Sequence, residues 1–311
     1  MSAIKHISHA TRPLRPKRTF EVPFRANADN LKRLIAGARA GDEHEPYFQA
    51  SVHTDLPERH RAPPIGSSVV QSSGSYMASV HAVAACRWGG YNGFRGSATM
   101  PGGDLEHRLN DTATTHGAAA WLCVSGDQTL WKNPNPRRPS IETLLELASE
   151  VRSGLQNPPD VWVAYNPLLH DATTEARRLA LKASLGASVA VTQPPSLLPD
   201  RARAAYDTLD DVGLALPKLV GIAAPNSSAR FAKWLELCNV DVRRDDVASK
   251  ALKAWVDAEK LGDAAFREFR VHFVSEAMRD ALQSVPGAIG IHVMPWNDDG
   301  IETVVAALDD L

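Results

Sequence analysis

Short apolar segments alternate with longer amphipathic segments from residue 19 to the end of this 311-residue chain. The apolar segments have the length of buried strands, and the amphipathic segments have the 3.6-residue periodicity of helices. Strands separated by helices pair in parallel through crossover connections. Counting an uncertain second unit, the chain has eight strand–helix units, which close naturally into a barrel. We therefore predict an α/β fold, a single-domain (β/α)8 TIM barrel.

The strongest helix signal covers Ser140–Ser153, where Ser140 is placed to cap the helix and the apolar residues form one stripe. The segment 244–284 reads as helical throughout, with one break near Leu261–Gly262. Other helices are predicted at 28–40, 104–116, 173–185, 200–212, 227–238 and 301–308. Strands are predicted at 19–24, 47–53, 119–124, 161–165, 188–192, 218–222 and 288–294.

Two segments lie outside this alternation. Residues 1–18 carry several histidines, arginines and lysines, and we interpret them as a basic, solvated N-terminal arm preceding a catalytic barrel domain at 19–311. The region around 55–95 is rich in Pro, Ser and Gly and reads as an irregular insertion, with only 77–86 appearing helical. A segment of this kind is consistent with a long active-site loop or lid.

An open, doubly wound sheet is the structural alternative to the barrel. It would favour a glycine-rich turn after the first strand, and the chain has Glu21-Val22-Pro23-Phe24-Arg25 there instead. The barrel is therefore the preferred architecture.

Composition and charge exclude several classes of function. Hydrophobic residues make up 44% and charged residues 23%, and the net charge is -2, which favours a soluble protein without nucleic-acid or membrane partners. We find no apolar run long enough to span a bilayer and no signal peptide. The three cysteines are widely spaced, which argues against disulfides and a zinc site and favours the cytoplasm. No cluster of His, Asp or Glu residues has the spacing of metal ligands. The sequence does not fix the oligomeric state, and a homo-oligomer is one of the alternatives.

Glu21 is the first candidate for chemistry. It lies among apolar residues of the first strand, where desolvation would raise its pKa and make it a general acid near neutral pH. The alternative is an outward-facing carboxylate paired with Arg18 or Lys17. The spacing alone supports the two interpretations about equally.

Polar residues also follow other strands, at the end where barrel active sites are built. The fourth strand ends in Ser125-Gly126-Asp127, and the fifth in Tyr165-Asn166-Pro167 with His170 beyond it. The sixth strand ends at Gln193, whose amide offers a donor and an acceptor suited to the edge of a heterocycle. Each signal is weak alone, but together they predict a polar site at one end of the barrel.

The strand-end residues resemble a known family, the methylenetetrahydrofolate reductases in their short bacterial form. The similar motifs are Phe20-Glu21-Val22-Pro23, Ser125-Gly126-Asp127, the run 186–193 that ends in Thr192-Gln193, and Val220-Gly221-Ile222 followed by Pro225-Asn226. The likeness extends from about residue 19 to the C-terminus and is weakest between 55 and 95.

The resemblance implies a cytoplasmic flavoprotein of one-carbon metabolism and methionine biosynthesis. Such an oxidoreductase uses FAD and NADH or NADPH to interconvert 5,10-methylenetetrahydrofolate and 5-methyltetrahydrofolate, so its partner is a tetrahydrofolate derivative. Glu21 would be the general acid, Asp127 would tune the charge of flavin and pterin, and Gln193 would bind the pterin. The cofactor-binding residues implied are Tyr165, His170, Lys182, Ser125 and Gly126.

The chain also departs from the family pattern. Ser125 replaces an arginine, the strand-five motif is reduced to residues 165–171, and the strand-three exit has no clear histidine. The folate-facing positions are better kept than the flavin-facing ones. Two alternatives follow: a folate-binding methyl-transfer partner that has lost the redox step, or a binding or accessory protein on the barrel scaffold.

Overall fold

The computed structural model describes residues 140–311 continuously. It also describes residues 106, 109–110, 113–114 and 120–124, and the backbone alone of three strands at 18–21, 50–53 and 81–87.

Eight parallel strands form a closed barrel in which each strand pairs with its neighbours in chain order. The barrel closes where β1 pairs with β8 through Phe20 and Val293. This closure confirms the predicted (β/α)8 architecture over an open sheet. The strands are β1 Arg18–Glu21, β2 Ala50–His53, β3 His81–Arg87, β4 Ala120–Val124, β5 Asp160–Tyr165, β6 Val189–Thr192, β7 Lys218–Ala224 and β8 Ala288–Pro295.

Side chains alternate between the inside of the barrel and the helical layer, as the period of a strand requires. The inward row forms a small apolar cluster that includes Leu122, Trp162, Val189 and Leu219. The outward row joins the helices in a second, much larger core. The barrel interior is therefore filled by side chains.

Five of the seven described α-helices start with a side-chain cap that satisfies one of their first backbone N–H groups. Ser140 accepts from the N–H of Thr143, which confirms the predicted N-cap of the first helix. The described helices are α1 Ile141–Ser153, α2 Ala172–Ser184, α3 Pro199–Asp211, α4 Ser228–Leu237, α5 Asp246–Glu259, α6 Asp263–Ser284 and α7 Asp298–Asp309, with a short 3₁₀ helix at Pro195–Leu197.

The connection between β7 and β8 contains three helices instead of one. The long helix α6 packs on both β7 and β8, so it occupies the usual crossover position. Helices α4 and α5 are additional, and α4 contacts the 3₁₀ helix that follows β6. We call α4, α5 and the turn between them (residues 228–259) the helical cover.

One sequence prediction is wrong in this part of the fold. The segment 77–86 was predicted to be helical, but His81–Arg87 forms β3, which lies inside the region assigned to an irregular insertion. Its alanines are compatible with a helix, yet the segment pairs with β2 on one side and β4 on the other. Pairing on both sides outweighs a weak local preference.

Candidate active site

The barrel interior opens at the carboxyl ends of the strands. Deep in the barrel, the inward-facing Trp162 and Val189 are fully buried. Further along the same rows, Ala164 and Gln193 are half-buried, as is Val124 at the end of β4. We call the part of the interior that these half-buried positions mark the mouth.

Gln193 is the polar side chain that the described strands bring to the mouth. Its backbone N–H donates to the carbonyl of Tyr165 at 2.7 Å, which ties the end of β6 to the end of β5. Its side chain continues the inward row of Val191, and its Oε1 accepts a hydrogen bond from the Cys238 thiol at 3.7 Å. The sequence prediction that Gln193 lies at a strand end facing the mouth therefore agrees with the structure.

Asn166 follows β5 and connects the mouth to the helical cover. Its Nδ2 donates to the carbonyl of Cys238 at 2.8 Å, and its Oδ1 accepts from the N–H of Leu168 at 3.0 Å. Both ends of the amide are thus occupied by the protein. Asn166 therefore holds the cover in place through these two hydrogen bonds.

His292 lies inside the barrel, below the mouth. In the strand register His292 is paired with Gly221 of β7 and Thr19 of β1. Two residues earlier in the same strands, Gly290 is paired with the inward-facing Leu219, so His292 also faces inward. The side chain is almost fully buried, and this burial lowers the pKa of His292 to about 3. The imidazole is therefore neutral at physiological pH.

A buried ion pair fixes the start of α5 at the rim of the mouth. Asp245 caps α5 by accepting from the N–H of Ala248 at 3.1 Å, and its Oδ2 lies 2.6 Å from Nη2 of Arg201 in α3. The exposed His170 approaches the same carboxylate at 3.2 Å through its Nε2. Although burial alone would raise the pKa of Asp245, the hydrogen bond from Ala248 and the charge of Arg201 lower it overall.

Aromatic contacts attach the other side of the cover to β8. Trp234 of α4 packs edge to face against Trp296, which follows β8, with 5.6 Å between ring centroids. The guanidinium of Arg230 lies 4.8 Å from the centre of the Trp296 ring. Together with the contacts of Cys238 and Asp245, these show that the cover lies across the carboxyl ends of β5 to β8.

The remaining predicted catalytic residues are placed only in part. Glu21 is the last residue of β1 and is paired with Val52 of β2. It comes two residues after Thr19, so the two positions lie on the same face of the strand. Thr19 is the register partner of His292 in β8. The side chain of Glu21 and all of Ser125, Gly126 and Asp127 lie outside what the structure describes.

Three residues that the resemblance assigned to FAD instead contact other parts of the protein. Tyr165 is fully buried on the helical side of β5, where its hydroxyl donates to the carbonyl of Ala205. Lys182 donates to the carbonyl of Ala164 at 2.7 Å, and burial lowers its pKa. His170 faces Asp245. Each of these three polar groups is therefore in contact with another part of the protein.

Within the described part of the chain, no group of three or more His, Cys, Asp or Glu side chains is arranged to hold a metal ion. The helices described here also include none with the length and hydropathy needed to cross a membrane.

Sequence reasoning missed Cys238, Arg201 and Asp245. The contact of Cys238 with Gln193 joins residues 45 positions apart, and no local pattern announces it. Asp245 did carry a signal, because an aspartate directly before a helical segment is a typical N-cap. Recognising that cap would have placed the start of α5 correctly, since the helix was predicted to run from residue 244.

Comparisons with known proteins give no family. No family model matches the chain, and no curated protein matches it. Among solved structures, the chain is similar to 2,3-dimethylmalate lyase, a member of the PEP mutase/isocitrate lyase superfamily, with 16% identity, 73% of each chain covered and a TM-score of 0.43. It is also similar to oxaloacetate acetylhydrolase (12% identity, 70% of this chain and 71% of that one, TM-score 0.39) and to a psychrophilic family 10 endo-β-1,4-xylanase (10% identity, 90% and 86%, TM-score 0.44).

These comparisons contradict the prediction of a methylenetetrahydrofolate reductase. Neither a family model nor a curated relative supports it. The assignment to an NAD(P)H-dependent folate oxidoreductase and flavoprotein is therefore wrong, and the alternative of a folate-binding methyl-transfer partner has no support either. The motifs that carried the resemblance are short strand-end patterns, and such patterns are also what a barrel fold itself favours.

Proposed function

We propose that the chain is an enzyme that binds a small polar molecule in the mouth and transfers a proton to or from it. Gln193 is the binding group in this proposal, and Glu21 is the acid–base group. The observation that carries it is the placement of Gln193: it is half-buried at the end of β6, on the inward row, under the helical cover. A buried site with one fixed amide is typical of small-molecule recognition.

The position of Glu21 supports its part in the reaction. It ends β1 in the alternating row of Thr19, the partner of buried His292. A carboxyl group that is shielded from water holds its proton at higher pH than a solvated one, and the proposal assigns that role to Glu21. Asp127, three residues beyond the end of β4, is proposed as a second carboxylate near the substrate.

The similar solved structures do not identify the reaction, because at 10 to 16% identity their likeness concerns the fold alone. The proposal names a proton transfer because Glu21 is the acid–base group that the sequence offers at a strand end. The widely spaced cysteines favour a cytoplasmic enzyme.

Binding is tested by mixing the protein with a defined collection of metabolites and identifying retained molecules by native mass spectrometry. Gln193→Leu should weaken the retained ligand roughly two- to tenfold, the usual net contribution of a hydrogen bond. The matched control is Gln283→Leu, an exposed position on α6. Equal retention by wild type and Gln193→Leu would rule out Gln193 as the binding group.

The acid–base role is tested on the ligand so identified. Glu21→Gln should abolish turnover and leave binding within a few-fold of wild type, while Glu302→Gln, exposed on α7, should behave as wild type. Undiminished turnover in Glu21→Gln would reject the catalytic assignment.

A further inference from the structure

The side-chain amide of Gln193 can present either its oxygen or its nitrogen to a ligand. The two orientations select opposite chemistry, because Oε1 accepts hydrogen bonds and Nε2 donates them. Which end faces the mouth therefore decides the class of molecule that the site can bind. This question rests on the proposed function, in which Gln193 binds the ligand.

A chain of hydrogen bonds fixes the position of Cys238 beside Gln193. The N–H of Leu168 donates to Oδ1 of Asn166, which fixes the orientation of that amide. Nδ2 of Asn166 then donates to the carbonyl of Cys238 at 2.8 Å. The backbone of Cys238, at the carboxyl end of α4, is thereby held against the end of β5.

The thiol of Cys238 supplies the next donor in this chain. Its Sγ lies 3.7 Å from Oε1 of Gln193, within the range of a hydrogen bond from sulfur. The residue is fully buried, and burial raises the pKa of the thiol well above its usual range, so it keeps its proton. A protonated thiol has one hydrogen to donate, and Oε1 lies in position to accept it.

We propose that Cys238 is a positioning residue that turns the amide of Gln193 so that Nε2 faces the mouth. The site then recognises a hydrogen-bond acceptor, such as a carbonyl oxygen, a carboxylate oxygen or an unprotonated ring nitrogen. Among the described residues, Cys238 is the contact of the Gln193 side chain, and Nε2 donates to none of them. In this orientation the nitrogen is the end of the amide that the proposal assigns to the ligand.

The orientation is tested in the free protein by NMR with labelled glutamine. The chain has six glutamines, and the side-chain signals of Gln193 are those missing in Gln193→Leu. Cys238→Ala removes the donor and should move the ¹³Cδ signal of Gln193 upfield, because a carbonyl that loses a hydrogen bond becomes more shielded. Cys238→Ser keeps a hydroxyl donor and should restore part of the shift.

The matched control is Cys123→Ala, which deletes another buried thiol without touching Gln193. It should leave the Gln193 signals unchanged. A ¹³Cδ signal that does not respond to either substitution at Cys238 would overturn the positioning role. Cys238→Ser carries the test if the alanine variant does not fold.

The class of ligand is tested with two small probes of similar size. N-Methylpyrrolidone has an acceptor and no donor, whereas pyrrole has an N–H donor and no comparable acceptor. In the wild type, N-methylpyrrolidone should shift the Nε2 signals of Gln193 and pyrrole should not. In Cys238→Ala the amide is free to turn, so the preference should fall by roughly two- to tenfold. An equal response to both probes in the wild type would overturn the proposed polarity.

The two proposals fail in different ways. If the ¹³Cδ signal responds to Cys238→Ala but neither probe affects Gln193, the orientation is upheld and Gln193 is rejected as the binding group. If N-methylpyrrolidone binds through Gln193 and Cys238→Ala changes neither the ¹³Cδ signal nor the preference, the proposed function survives and the role of Cys238 is rejected.

Discussion

The carboxylate of Asp245 lies 2.6 Å from the guanidinium of Arg201, and this ion pair joins the start of α5 to the first turn of α3. The two side chains are only 4% and 15% exposed. An ion pair shielded in this way fixes the cover to the barrel, because neither charge can be solvated if its partner is removed.

Asp245→Ala should therefore lower the free energy of unfolding by about 3 kcal/mol, since it leaves Arg201 without its counter-charge and removes the N-cap of α5. Urea-induced unfolding measures the change. The control is Asp246→Ala, which removes the exposed neighbouring carboxylate and should cost about 0.5 kcal/mol through the helix dipole. Equal losses in the two variants would show that the ion pair contributes nothing.

Gly221 lies where β6 and β7 approach each other closely. A Cβ atom at this position would lie 2.2 Å from the backbone oxygen of Thr192 and 2.6 Å from the end of the Met294 side chain. Because a backbone oxygen cannot move aside cheaply, Gly221→Ala should destabilise the protein by several kcal/mol, about 3 or more, or prevent folding. Thermal unfolding or the soluble yield measures the effect.

Gly154 supplies the matched control, because an added Cβ there would meet its nearest atom at an ordinary 3.6 Å. Gly154→Ala should change stability by less than about 1 kcal/mol. A Gly221→Ala protein as stable as Gly154→Ala would contradict the close packing of β6 and β7.

The strands that bear the described part of the mouth could be predicted closely from the sequence. Segments 161–165 and 218–222 were predicted as strands, and they correspond to Asp160–Tyr165 and Lys218–Ala224. The helix break near 261–262 is also confirmed, where Gly262 adopts a φ of 93°. Buried β-branched runs and glycines act locally, so a single sequence reveals them.

The arrangement of the cover could not be predicted in the same way. The sequence predicts a helix at 227–238, and α4 forms there, but the sequence does not show that this helix lies across the mouth. Its apolar periodicity shows that one face is buried and does not show which surface buries it. The orientation of Gln193 depends on Cys238, whose position follows from that packing. The site thus needed the tertiary structure, whereas the barrel did not.

Trp255 is the centre of an aromatic cluster that joins the cover to α6. It stacks on Phe231 of α4 at 4.9 Å between centroids and meets Phe269 and Phe273 of α6 edge to face at 5.1 and 5.2 Å. Trp255→Ala should cost about 3 to 5 kcal/mol, the usual loss for a large buried aromatic. Because the cluster holds α4 and α5, hydrogen exchange should accelerate there more than in α7.

The control for this prediction is Val256→Ala, at the adjacent half-buried position on α5. It should cost about 1 kcal/mol and leave the pattern of hydrogen exchange unchanged. Uniform acceleration across the chain in Trp255→Ala would contradict the view that the cover is a separate, locally opening unit.

His292 should make the folded protein sensitive to mild acid. Its folded-state pKa of about 3 lies below the ordinary value of 6.5, so the unfolded chain takes up this proton first as the pH falls. The contribution of His292 to stability is complete above pH 6.5 and is lost progressively between pH 6.5 and 3, with a limiting slope of about 1.4 kcal/mol per pH unit. Unfolding in urea between about pH 7 and 5, above the range where ordinary carboxylates titrate, isolates this effect.

His292→Asn should flatten the slope, whereas His272→Asn, which removes an exposed histidine of α6, should retain it. A slope that persists in His292→Asn would mean that another group takes up the proton, and would reject a buried, neutral imidazole at the centre of the barrel.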